Sequence, residues 1–141
     1  AHGTYHNIKA RGEFTMSFPM ADQTLITSLT ATPRQSGISK ATQIIDALPT
    51  HRAIEVDALF LEQAYLKLEC KHFKTIDGFG GNSLITGTIL HAYVHPDYLR
   101  VSGQDEQSML HENPLLAYLA EGRFARAAET YHFPFPKGFK R

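Results

Sequence analysis

Polar and apolar positions change their spacing about halfway along the chain, and that change organises the first reading of its elements. Thr4 and Gly12 bracket Tyr5-His6-Asn7-Ile8-Lys9-Ala10-Arg11, a threonine suited to an N-cap and a glycine suited to the C′ position, so residues 5–11 read as a short helix. From Glu13 to Phe18 the residues Phe14, Met16 and Phe18 alternate with Thr15 and Ser17, which predicts a half-buried strand closed by Pro19. Asp22 then reads as the cap of a helix carrying Leu25, Ile26 and Leu29 on one face and ending before Pro33. Ser39 caps a third, with Ile44, Ile45 and Leu48 at helical spacing and Pro49 as its stop.

The second half has a period of two. Ala64, Leu66, Leu68 and Cys70 alternate with Tyr65, Lys67 and Glu69, the pattern of a strand with one wet face. Gly78-Phe79-Gly80-Gly81-Asn82 reads as a turn, and residues 83–94, rich in β-branched and apolar types, as a long strand. The two strands and their glycine-rich connection predict an antiparallel hairpin. Pro96-Asp97 opens a turn or a single helical turn, residues 101–113 read as a polar loop, 114–119 as a short helix and 123–130 as a last strand. Phe133-Pro134-Phe135-Pro136 reads as extended, because proline continues neither a helix nor a central ladder. Helices followed by strands give an α+β class. Three strands cannot close a barrel, so their edges need cover from elsewhere.

Composition narrows the function classes. The 141 residues hold 14 Lys plus Arg against 14 Asp plus Glu, so there is no electrostatic footprint for nucleic acid; the one basic cluster is residues 137–141. No apolar run approaches the roughly 20 residues of a bilayer span. The N-terminus reads as neither signal nor transit peptide. The single cysteine, Cys70, forbids an internal disulfide and fits a reducing, cytoplasmic setting. Cys70 and His72 share a strand face, yet no second pair at matching spacing completes a metal site, and none is expected. Cys70 also lacks an identified base and reads as a small core hydrophobe. No Walker loop or Gly-x-Gly-x-x-Gly fingerprint is present.

One ordered series of motifs stands out. Gly3-Thr4-Tyr5-His6-Asn7-Ile8 leads into Gly12-Glu13-Phe14; Leu68-Glu69-Cys70 follows; then come Ile85-Thr86-Gly87-Thr88-Ile89-Leu90-His91, Val94-His95-Pro96-Asp97, Asn113-Pro114-Leu115-Leu116 and Gly122-Arg123-Phe124. Taken together these resemble the flavin reductase-like family, whose segment Lys-Asp-Thr-x-x-Asn-Ile before Gly-Glu-Phe is matched here with His2-Gly3 in place of Lys-Asp. The resemblance implies an antiparallel split β-barrel of the FMN-binding, Greek-key type with short flanking helices. Residues 1–141 would form the C-terminal two-thirds of such a domain, the first strands and their Ser/Asn-rich flavin loop being absent at the N-terminus.

The resemblance also implies an FMN cofactor and NAD(P)H as co-substrate, with hydride passing to the flavin; the alternative is a flavin-binding or flavin-less interaction protein of the same fold without turnover. The implied flavin contacts are His2, Gly3, Thr4, Tyr5 and Asn7 at the first helix, with Arg123 at the cofactor's edge. The implied catalytic residue is His91. Each has a plainer reading: Thr4 as an N-cap only, His91 as a surface strand histidine, Arg123 as the start of an edge strand. A homodimer is expected, or a second polypeptide that supplies the missing strands; nucleic acid and membrane are not expected partners.

Overall fold

The computed structural model describes residues 3–31, 48–101, 103, 105–120, 122–131, 134 and 138. They form, in chain order, α1 (Gly3–Arg11), β1 (Glu13–Pro19), α2 (Thr24–Ala31), β2 (Thr50–Arg52), β3 (Leu59–Leu61), β4 (Ala64–Phe79), β5 (Asn82–Val94), a 3-10 turn (Pro96–Tyr98), α3 (Glu106–Glu112), β6 (Leu115–Ala120) and β7 (Arg123–Ala127). The class is α+β, with antiparallel sheets throughout: β1-β4-β5, β2-β3 and β6-β7. A single bridge, Met20 to Leu115, links the last pair back to the end of β1. The third helix expected from Ser39, the stop at Pro33 and most of the Phe-Pro tail lie outside the described residues.

Local chemistry accounts for the elements. α1 ends because Gly12 adopts φ +73° and returns its N–H to the Ile8 carbonyl at 2.8 Å, the left-handed cap that glycine adopts without strain. The β4–β5 hairpin closes at the Phe79–Asn82 pair through Gly80-Gly81, with positive φ at Gly80 alone of the two, the II′ arrangement that matches strand twist. Phe73 and Leu90 are the extra residues at two of the register shifts.

Several elements differ from the sequence reading. Helix α2 starts at Thr24, and its cap region is built by Gln23 rather than Asp22: the Gln23 side chain accepts from the Met20 N–H at 2.9 Å, and its carbonyl accepts from the Thr27 N–H at 3.0 Å. Residues 101–113 are not simply loop, since Asp105 caps α3 by accepting from the Gln107 N–H. Residues 115–120 form strand β6 instead of a helix, because pairing with β7 satisfies a backbone that six apolar residues in a row leave ambiguous. Strands β2 and β3, three residues each, are too short to carry a period.

The largest departure concerns the faces of the main sheet. Register places Thr15, Glu69 and His91 side by side, and Ser17, Lys67 and Tyr93 beside them, so alternation makes this the polar face. It is nevertheless the covered one. Strand β3 lies over it: Thr15 Oγ1 donates to the Leu59 carbonyl at 2.6 Å, and the Leu61 N–H donates to Ser17 Oγ at 3.1 Å. Phe60 is buried there with its ring 6.0 Å from that of Tyr93. The opposite face, with Phe14, Met16, Leu66, Leu68, Cys70 and Val94, buries Cys70 but leaves Met16 43% and Val94 39% exposed.

Glu69 is fully buried on the covered face. Its carboxylate accepts from three successive backbone N–H groups, Ile54 at 3.1 Å, Glu55 at 2.6 Å and Val56 at 3.1 Å, and from the Tyr93 hydroxyl at 2.9 Å. The next N–H, that of Asp57, donates to Glu13 Oε1 at 2.8 Å, and Arg11 reaches the Asp57 carbonyl at 3.1 Å. Two carboxylates on the sheet thus hold the whole turn between β2 and β3. Burial alone would raise the Glu69 carboxyl, but the N–H groups of Ile54, Glu55 and Val56 and the Tyr93 hydroxyl outweigh it and hold the group below its ordinary range.

Two outcomes follow. A Cβ on Gly87 would stand 2.7 Å from Phe14 Cζ and 3.0 Å from the Lys71 carbonyl oxygen. Gly87→Ala is therefore expected to cost about 1–3 kcal/mol in urea unfolding, with part recovered when Phe14→Leu is added. Because the folded Glu69 carboxyl is depressed, its contribution is full above the ordinary carboxylate value of about 4.3 and disappears as pH falls through the folded value. Glu69→Gln should lower stability at neutral pH by about 3 kcal/mol. The gap to the parent should narrow as the pH of the unfolding series is taken below about 4; a gap independent of pH would show that the charge contributes nothing.

Candidate functional site

The start of α1 and the tip of the β4–β5 hairpin meet around a cavity of about 380 Å³ lined by Thr4, Tyr5, Asp77, Asn82, Ser83 and Ile85, with the turn glycines between them. The helix reaches the hairpin tip because its far end is fixed alongside β4, where the His72 N–H donates to the Gly12 carbonyl at 2.8 Å. Gly3 is already helical, so Thr4 lies in the first turn rather than flanking the helix as its cap. The N–H groups of Gly3, Thr4 and Tyr5 have no carbonyl one turn back within the described helix, and with the helix dipole they make this end electropositive.

The other side of the cavity is acidic. Asp77 accepts from Ser83 Oγ at 2.6 Å and from the Tyr5 hydroxyl at 3.2 Å and 3.3 Å, while Lys9 Nζ donates to that hydroxyl at 3.0 Å. This chain of side chains ties α1 to the hairpin across the cavity. The Ser83 hydroxyl above all holds the Asp77 carboxyl below its usual range against burial, the next largest influence, with the Tyr5 hydroxyl and the Lys9 charge adding to the lowering. The bond to Tyr5 raises the Lys9 ammonium. The cavity therefore presents amide and hydroxyl donors at one end and a carboxylate acceptor at the other.

The residues expected to act here divide into two groups. Thr4 and Tyr5 line the cavity, and Gly3 sits in the same turn. Asn7 lies on α1 but does not line the cavity, and His2 falls outside the described residues. His91 is exposed on β5 and stacks on Tyr93 with ring centroids 4.5 Å apart and planes 17° apart. From Ser83 to His91 the strand advances eight residues, about 26 Å at 3.3 Å per residue, so one chain does not bring His91 to the cavity. Arg123 opens β7, in a separate two-stranded sheet. Sequence reading missed Asp77 and Ser83, whose only signal is that they flank a glycine-rich turn, and Glu69, whose alternation assigns it to the wet face, together with its partner Tyr93. Among the described residues no three His, Cys, Asp or Glu side chains group as metal ligands, and no helix is long and apolar enough to cross a membrane.

No curated protein sequence is significantly similar to the chain. Solved structures are. The 2-nitrobenzoate 2-nitroreductase of Pseudomonas fluorescens superposes with a TM-score of 0.71 at 19% identity, covering 98% of this chain and 66% of that one. An NADH:FAD oxidoreductase of Streptomyces globisporus gives 0.64 at 18% identity, covering 89% and 62%. Flavoredoxin of Desulfovibrio vulgaris (Miyazaki F) gives 0.69 at 20% identity, covering 99% and 72%. At these identities the likeness is one of fold, and the chain spans a little under two thirds of the first two. A further match with this fold is described as a flavin reductase with a split barrel domain, so the antiparallel sheets here are the split-barrel arrangement. The sequence model of the flavin reductase like domain matches residues 1–122, and the chain accordingly belongs to the flavin reductase-like domain family.

Proposed function

We propose that the protein holds FMN at the cavity between α1 and the β4–β5 hairpin and works as an NAD(P)H-dependent flavin reductase. The observation that carries the reading is the pairing of donors and acceptor around that cavity. The N–H groups at the start of α1, without a carbonyl partner within the described helix, and the Thr4 hydroxyl suit a phosphate, while Asp77 and Ser83 suit the hydroxyls of a polyol arm. When bound, the flavin supplies the hydride-accepting centre. The protein's own task is then to anchor the phosphate, align the arm and leave one ring face open to the nicotinamide. Asp77 bears on selectivity as well: a carboxylate across the cavity from the phosphate end disfavours ligands that bring further negative charge to that side.

His91 enters the same reading through a homodimer. With His91 about 26 Å along β5 from Ser83, its part in hydride transfer would be played at the cavity of a second copy. The part-exposed apolar face with Met16 and Val94 gives such a copy, or a polypeptide supplying further strands, a surface to cover. Buried, free Cys70 fits the reducing cytoplasm assigned to this activity. The same separation of His91 from the cavity favours a second reading, a flavin-binding protein without turnover.

Mixing the protein with FMN and following the visible flavin band and fluorescence tests binding, and anaerobic addition of NADH tests reduction. A flavin that binds and bleaches supports the reductase; one that binds and never bleaches leaves the carrier. Thr4→Ala is expected to weaken FMN about tenfold, or about 1–2 kcal/mol, the scale of one charge-assisted hydrogen bond. An unchanged FMN affinity in a folded variant removes Thr4 from the site. Light scattering should give twice the chain mass of 15.8 kDa, and a monomer contradicts the shared arrangement.

A further inference from the structure

A second cavity, of about 570 Å³, opens at the other end of the hairpin, between the start of β4, the end of β5 and the residues before α2. Its position separates it from the α1 cavity: Tyr93, on its wall, is eleven residues along β5 from Asn82, roughly 35 Å at 3.3 Å per residue. Its size falls within the range of small-molecule sites, about 300–1,000 Å³.

The chemistry of its wall is specific. Lys67 lines it half-buried, directly opposite Tyr93 in the ladder, and has neither an ion-pair nor a hydrogen-bond partner among the described residues. A cation partly withdrawn from water without a counter-charge attracts an anion. Gln63 accepts from Gln23 Nε2 at 3.3 Å through its carbonyl, an amide orientation assigned from that network, so its own NH₂ is free to donate. Met20, Ala64 and Val94 contribute apolar wall, and the Tyr93 ring is held in place because its hydroxyl is committed to buried Glu69 at 2.9 Å. His95 is turned to its own 3-10 turn, its Nδ1 accepting from the Asp97 N–H at 3.4 Å. Glu62, on the exposed rim, limits the charge the cavity will accept.

We infer that this cavity is a second ligand site, for an organic monoanion in which a carboxylate is carried on a compact apolar body. The carboxylate takes the Lys67 ammonium and the Gln63 amide, and the body lies against Tyr93 and Met20. A bare inorganic anion leaves the walls unused, and a dianion meets Glu62 with only one cation to offset it. The site stands apart from the flavin reading and does not depend on it.

Titrating benzoate into the ¹⁵N-labelled full chain tests the assignment, first without FMN and then with FMN at saturation. Benzoate should shift amides of residues 62–67 and 93–95 in both cases, whereas benzylamine and inorganic phosphate should leave those amides unmoved. Lys67→Met, which keeps the stem and removes the charge, should weaken benzoate at least tenfold, and Lys67→Arg should keep its affinity within about threefold. Equal affinity in Lys67→Met, equal response to benzylamine, or shifts elsewhere in the chain would overturn the site. Displacement of benzoate by FMN would also overturn it, by showing one site rather than two. Should Lys67→Met fail to fold, the benzylamine and phosphate arms on the parent chain still decide. Absence of FMN binding bears on the flavin reading alone, since the first titration contains none.

Discussion

A buried carboxylate with no cation beside it among the described residues organises this fold. Glu69 sits on the covered face of the main sheet, where an isolated charge would be costly, and it is made tolerable by N–H dipoles instead of an ion pair. Three consecutive amides of the 54–56 turn converge on it, which fixes that turn, and with it the two short strands the turn connects. Through the Tyr93 hydroxyl the same carboxylate fixes an aromatic ring that Phe60 and His91 both touch. One side chain thereby joins β4, β5, β2 and β3.

That arrangement explains why the polar face of the sheet is the covered one. Strands β2 and β3 bury Phe60 against Tyr93 and otherwise attach through polar contacts, Thr15 and Ser17 on one side and Glu69 and Glu13 on the other. Such a layer needs polar partners on the sheet. The opposite, apolar face keeps Phe14 against Gly87 and buries Cys70, yet much of it stays open.

The length of the hairpin has its own consequence for chemistry. With 16 residues in β4 and 13 in β5, its two ends are too far apart to serve one small ligand. The tip meets α1 and forms a cavity with opposed donor and acceptor ends. The base meets the region before α2 and forms one with a lone cation. The hairpin thus separates two chemically different cavities.

The sequence by itself determined the α1 boundaries near Gly12, strand β1, the first half of β4, strand β5 and the glycine turn between the long strands. Each of these is written in local terms, as a backbone that only glycine adopts freely or a period of two sustained over many residues. It also carried enough ordered motif to point to the flavin reductase-like family and to Thr4 and Tyr5 beside a cavity. Tertiary structure alone decided the rest. Strands of three residues have no period to read, and the apolar run 115–120 becomes a strand only because β7 lies alongside. Alternation told which residues share Glu69's face but not which face is covered, because that depends on a turn from another part of the chain offering its amides. The surroundings of Asp77 and Lys67 were likewise set by the fold, a helix start opposite one and no counter-charge among the described residues beside the other.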